Sequence, residues 1–260
     1  MNEKSEAIKQ KVQQQFGQHA QKYVTSTTHA KGSDLVLLKD WLNVDSSSIV
    51  LDIATGGGHV VKSLAPHAGQ IFATDLTYEM LETAKGHLDS GASNIFYVIA
   101  DAESLPFLEN TFDAVTCRIA PHHFPNPDIF VKEVSRVLKP GGKFLLIDNI
   151  APEDEELDDF VNRLEKLRDD SHVRSYSEKE WKTWFEQANL SFVKAEHRKK
   201  KFNYPDWVKR TTTSEEQVKI VDSHLLSASK IIQNYFSIES TNDRIQSVTI
   251  DEWMALVEKH

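Results

Sequence analysis

The chain has 260 residues, 40% hydrophobic and 27% charged, which suits one sizeable core or a core with an added lobe. Its net charge of −9 opposes general binding to a phosphate backbone, so no nucleic-acid partner is expected. No apolar run reaches the roughly 18 residues of a membrane span, the opening Met-Asn-Glu-Lys-Ser-Glu lacks an apolar signal core, and lone Cys117 cannot form an internal bridge, so the expected compartment is a reducing cytoplasm.

Residues 5–28 read as a helix, with Val12, Phe16, Ala20 and Tyr23 at spacings of three and four. Residues 34–42 form a second, shorter one. From 49 to 150 strands and helices alternate. The strands are Ile49–Ala54, Gln70–Asp75, Ile95–Ala100, Phe112–Arg118 and Lys143–Ile150. The helices between them are Val60–Ala65, Tyr78–Leu88 and Ile129–Leu138, the last stopped by Pro140. Short hydrophobic strands interleaved with helices imply a parallel sheet covered on both faces. Next come a helix at Leu157–Arg168 behind the acidic run Glu153–Asp159, and Trp181–Ala188 behind the capping-box spacing Ser177 to Glu180. Leu190–Glu196 and Trp253–Glu258 read as late strands, with a helical insertion at about 204–236 between them. The expected fold is α/β, a Rossmann-like doubly wound, mostly parallel seven-stranded sheet. Residues 1–45 are expected to form a helical lid on a domain spanning 46–260. The basic cluster His197–Lys201 reads first as a solvated strand edge and second as a contact for an anionic substrate.

The chemistry gathers at strand ends. The first strand runs into Asp52-Ile-Ala54-Thr-Gly56-Gly-Gly58 and a helix, a turn that lets a ligand meet bare backbone. A dinucleotide fingerprint wants a third glycine where this chain has Val61. Asp75, 23 residues after Asp52, is placed to accept from two vicinal ribose hydroxyls. Asp101 followed by the Ala102 N–H can pair with an adenine edge, although an Asx-turn is the ordinary role of such an aspartate.

Val50–Gly58, Ala73-Thr-Asp75, Ala100–Phe107, Phe112-Asp-Ala-Val115 and Leu138–Gly142, in this order, resemble the motifs of class I S-adenosylmethionine-dependent methyltransferases. The nearest branch is that of ubiquinone/menaquinone C-methyltransferases and similar small-molecule enzymes. The resemblance implies S-adenosyl-L-methionine as cofactor and a small-molecule methyl acceptor. It implies that Gly56 and Gly58 meet the methionine part while Asp52 orients their loop, and it places Ala54 in the same loop. Asp75 would hold the ribose, with Leu76 beside the adenine. Asp101 and Ala102 would read the adenine edge, the Arg118 carbonyl would meet the amino group, and Tyr23 would fold over the cofactor. Residues 16–150 carry the resemblance, which leaves the acceptor open.

Methyl transfer needs orientation more than a catalytic triad. His122 and His123, in the loop after the fourth strand, are the candidate catalytic residues, as bases or as groups that orient the acceptor. His29 is a weaker candidate. Asp148-Asn149 resembles two ligands of metal-dependent catechol methyltransferases, but the acidic third ligand is missing at Cys117-Arg118, so no metal is expected and Asp148 reads as a substrate contact or helix cap. Two further readings stay open: an NAD-dependent oxidoreductase and a non-catalytic S-adenosylmethionine-binding protein. Trp181, Trp184, Phe202, Trp207 and Phe236 read as core aromatics, or as an apolar lid.

Overall fold

The computed structural model describes residues 3–24, 33–88 and 92–260. Helices α1 (Glu3–Val24) and α2 (Ser33–Leu42) precede β1 (Ile49–Ile53), α3 (His59–Leu64), β2 (Gln70–Asp75), α4 (Tyr78–Leu88) and β3 (Ile95–Ile99). Then follow β4 (Phe112–Arg118), a 3-10 turn at Pro121–His123, α5 (Pro127–Val137) and β5 (Leu138–Asn149). The last third contains α6 (Glu155–Arg168), α7 (Glu178–Gln187), β6 (Leu190–Asn203), α8 (Tyr204–Val208), α9 (Glu215–Leu226), α10 (Lys230–Tyr235), β7 (Glu239–Thr241) and β8 (Arg244–Lys259).

The strands form one sheet in the order β3-β2-β1-β4-β5-β8-β6, with β7 folded back on β8. β1 to β5 are parallel, and β8 lies antiparallel between β5 and β6. This is the expected doubly wound, mostly parallel sheet, with β7 as an eighth strand. The two faces follow the two-residue period of the strands. Leu51, Ile53, Val115, Phe144 and Leu146 face a core completed by Phe130, Trp181 and Phe185. Val50, Ala114, Leu145 and Ile147 face the other, completed by Leu38, Val60, Leu64 and Ala84. A third cluster, under α6 and α8 to α10, buries Phe160, Trp207, Val221 and Phe236 against Val248 and Ile250 of β8. Trp181, Trp207, Phe202 and Phe236 are therefore core residues, and Trp184 packs partly buried against the first cluster.

Several boundaries move for physical reasons. β5 begins at Leu138 rather than Lys143, because the Pro140-Gly141-Gly142 stretch is absorbed by a register shift against Phe112 and Ala114. β6 runs on through the basic cluster to Asn203 along the sheet edge, where β8 and β7 supply opposite charges. Arg198 and Lys200 pair with Glu252 at 3.0 and 2.9 Å, Lys199 with Asp251 at 2.7 Å and Lys201 with Glu239 at 2.7 Å. β8 starts at Arg244 rather than Trp253, after a hairpin at Asn242 and Asp243 with φ of 50° and 56°. The insertion is three helices, with α9 and α10 begun by Ser214 and Ser229, whose hydroxyls accept from Gln217 N and Ile232 N. The capping box is present: Ser177 Oγ accepts from Glu180 N at 3.3 Å and Glu180 Oε2 from Ser177 N at 2.8 Å.

Candidate active site

β1 and β4 are neighbours at the centre of the sheet, where strand order reverses and a parallel sheet opens a crevice beyond its carboxyl ends. Both strands end in a left-handed residue, Ala54 and Ile119, each with φ of 54°. For a β-branched residue such as Ile119 this is strained, at about 1–2 kcal/mol. The glycine loop follows Ala54. Gly56 has φ of 54° and sends its N–H to Asp75 Oδ2 at 3.0 Å. Gly58 has φ of 82°, a left-handed conformation that favours glycine, and a Cβ there would meet Leu88 Cδ1 of α4 at 2.8 Å. Val61, where a dinucleotide site has its third glycine, is wholly buried in the second core.

The crevice, counted with the solvent space at its mouth, measures about 1060 Å³. Asp52, Ala54, Gly56, Asp75, Leu76, Asp101, Ala102, Arg118 and His123 all line it, so the carboxylates of Asp75 and Asp101 share one cleft. Gly58 stands just behind, as the N-cap of α3. Tyr23 lies in α1 at a position whose side chain is outside the described residues, as His29 is altogether. Asp75 also accepts from Thr77 N at 2.9 Å, and burial pushes its carboxyl up to about 6. Asp52 accepts from Thr116 Oγ1 at 2.6 Å and Thr55 Oγ1 at 2.9 Å, and burial raises it to about 6 as well. Asp101 makes the Asx-turn, accepting from Glu103 N at 2.9 Å.

Three contacts have no local trace in the sequence. Lys9 of α1 reaches into the cleft and pairs with Asp101 and Glu103 at 2.6 and 2.7 Å. Burial pulls the Lys9 ammonium down, but the two carboxylates outweigh it and hold it above its ordinary value. Val12 and Phe16, on the same helix, also line the cleft. The Arg118 guanidinium pairs with Asp34 of α2, which outweighs burial and holds that carboxyl below its ordinary value. Arg118 Nη2 has no hydrogen-bond partner among the described residues. The third contact is Asp148 with His122. Asp148 Oδ1 accepts from His122 Nδ1 at 2.6 Å, and its Oδ2 accepts from His122 N at 2.9 Å. Asp148 thus holds His122 through both oxygens, and its Oδ1 also accepts from Asn149 N at 2.9 Å.

The two adjacent histidines differ sharply. Both are buried, with ring centroids 4.3 Å apart. Burial lowers His122, but Asp148 outweighs it and leaves the imidazole above its ordinary value. His123 donates from Nδ1 to Ser171 O at 3.0 Å and meets the Phe16 ring edge-on. Burial, reinforced by His122, drops it to about 3, so it stays neutral. Among the described residues no group of three His, Cys, Asp or Glu side chains could hold a metal ion, and no helix is long and apolar enough to cross a membrane.

A second cavity of about 540 Å³ adjoins the first, sharing Phe16, Ile119 and His123 as walls. His122, Asn149, Arg168, Lys200, Trp207 and Arg210 line it further. The first cleft fits an adenosine-bearing sulfonium: a deeply buried carboxylate at the end of β2, an acid and a backbone N–H after β3, and a glycine loop without side chains.

Comparison with known proteins agrees. Residues 51–146 match the family model described as a methyltransferase domain. The chain is 38% identical over 224 residues to the uncharacterized methyltransferase YcgJ of Bacillus subtilis, covering 86% of this chain and 88% of that one. The crystal structure of YcgJ superposes with a TM-score of 0.85, at 36% identity over 87% of this chain and 97% of that one. The ubiquinone/menaquinone biosynthesis C-methyltransferase UbiE of Saccharophagus degradans is 37% identical over 115 residues, 42% of this chain and 46% of that one. With this fold, this cleft and these relatives, the chain belongs to the S-adenosylmethionine-dependent methyltransferases.

Proposed function

We propose that the chain methylates a small-molecule acceptor held in the second cavity, with His122 as the base and the cofactor in the cleft under α1. The observation that carries this reading is the shared wall: the cleft fitted to adenosine and the cavity lined by His122 meet at Ile119, His123 and Phe16. When bound, S-adenosylmethionine supplies an electrophilic methyl group on its sulfonium. The protein's part is binding, alignment and proton handling.

In this reading Asp75 accepts from the ribose hydroxyls while its link to Gly56 N keeps the glycine loop in place. Leu76, Asp101 and Ala102 frame the adenine, and Asp52 braces the loop through Thr55. Gly56 leaves backbone open to the methionine part, while Gly58 begins α3 just behind it. The Arg118 carbonyl serves the amino group. α1, with Tyr23 near its end, acts as the lid, pinned by Lys9.

His122 keeps its Nδ1–H on Asp148, which leaves Nε2 as the basic nitrogen. It takes the proton that an acceptor hydroxyl or acidic carbon must lose as the methyl arrives, a contribution of about 10²–10⁴-fold. Alignment of the sulfonium methyl with the acceptor where the two spaces meet supplies more, on the order of 7–11 kcal/mol. His123, held neutral, borders both spaces rather than acting as a second base. Calorimetry with S-adenosylhomocysteine tests the reading: micromolar binding is expected, and lost when Asp75 is replaced. Folded protein that ignores the nucleoside would refute it.

A further inference from the structure

We infer that the acceptor is a planar organic anion, whose charged group is held by Arg168, Lys200 and Arg210 and whose ring lies against Trp207 and Phe202. The inference rests on the proposed methyl transfer for its purpose, and on the second cavity for its evidence.

A chain with net charge −9 has placed three cations around one cavity of about 540 Å³. The carboxylates that partner two of them stand behind the wall. Glu165 meets Arg168 at 2.6 Å and Glu252 meets Lys200 at 2.9 Å, yet neither carboxylate lines the cavity. One acid does line it, Asp169, and its Oδ1 is occupied by Ser171 N and Ser171 Oγ. Residues 18–33, which run on beyond Phe16, include no Asp or Glu that could add negative charge. A solute in this space therefore meets three cationic side chains against one lining carboxylate, Asp169, with Glu165 and Glu252 outside the lining.

The site is also built rather than incidental. Arg168 is 8% exposed and is fixed three ways: on Glu165, on Thr211 Oγ1 at 2.7 Å, and stacked over the Trp207 ring at 4.1 Å. Trp207 in turn stacks on Phe202 with centroids 5.6 Å apart. Guanidinium on an aromatic face, in a wall of buried rings, suits a flat apolar body ending in a carboxylate or phenolate. The second reading of the His197–Lys201 cluster is thereby placed: Lys200 is the member that turns to the cavity. His122 lines the same cavity, and there the ring's hydroxyl or acidic carbon would meet Nε2.

The test is isothermal calorimetry on the full chain loaded with S-adenosylhomocysteine. The probes are 4-hydroxybenzoate, 3,4-dihydroxybenzoate and indole-3-carboxylate, each beside its primary amide. At least one acid should bind about tenfold tighter than its amide, the difference between a charge-assisted and a neutral hydrogen bond. That preference should fall severalfold in Arg210→Gln and in Lys200→Gln. No acid outbinding its amide, including no binding by either, overturns the inference, as does a preference unchanged in both variants. The series is repeated without the nucleoside, so failure of cofactor binding is read separately from failure of anion selection.

Discussion

Replacing Asp75 with asparagine should stabilise the empty protein while disabling it. The shift of this carboxyl from 3.8 to about 6 means that its ionised form costs the fold roughly 3 kcal/mol at neutral pH. Asparagine removes that cost. It can accept only one of the two backbone N–H groups that Asp75 now holds, from Gly56 and Thr77, which takes back about 1–3 kcal/mol. The net is a gain of roughly 1 kcal/mol, or about 2–4 °C in Tm for a chain of this size. Because the folded pKa is raised, the penalty is full above pH 6 and gone below pH 3.8, so the variant's advantage should shrink across that window as pH falls. Affinity for S-adenosylhomocysteine should drop by about 2–4 kcal/mol, some 30- to 900-fold, as charge-assisted ribose contacts are lost. Scanning calorimetry against pH and titration calorimetry read the two arms. A variant destabilised at pH 7.5 would refute the desolvation cost, and an unchanged Kd would refute the ribose assignment.

Other expected outcomes follow from the same geometry. His122→Ala and Asp148→Asn should each lower kcat by about 10²-fold or more with unchanged affinity for S-adenosylhomocysteine, while His123→Ala should act mainly on KM; equal turnover in His122→Ala would remove the base. Since His122 is raised above 6.5 and must be neutral to act, wild-type turnover should climb with pH through a pKa above that value, and the stability of the His122–Asp148 pair should be lost over the same rise; a pH-independent kcat would contradict both. Lys9→Met should loosen α1, seen as about tenfold faster amide exchange over its ordered turns, ~1.4 kcal/mol; unchanged protection would show that the helix is held elsewhere. Ser177→Ala should cost about 1 kcal/mol in urea unfolding through loss of the capping box; a shift near zero would mean that Glu180 alone caps α7.

The sequence shows those parts of the site that are local. The glycine turn, Asp75 and Asp101 each sit at the end of a strand whose apolar run is visible, so fold and position are read together. What escapes notice depends on contacts distant in sequence. Lys9 with Asp101, and Asp34 with Arg118, join helices to strand ends across 92 and 84 positions, and no local pattern announces them. His122 and His123 look equivalent in sequence. Only the fold brings Asp148 to one and Ser171 to the other, and so sets their charges apart. β6 hid behind its lysines, whose balancing acids lie on β7 and β8. The hairpin before β8 did carry a signal: Asn242-Asp243 is a dipeptide suited to two positive φ angles, and reading it would have found β7.

Ile119 lies on the boundary between two compartments. Its backbone is pinned by a 2.7 Å bond to Ile147 O in the left-handed conformation, and the residue belongs to both linings. In the proposed reaction it would therefore stand, with Phe16 and His123, where donor and acceptor meet. Trimming it would relax the chain and widen that junction at once, so in the proposed reaction breadth of substrate choice and rigidity of the mouth would be tuned together at this position and would trade against each other in any redesign.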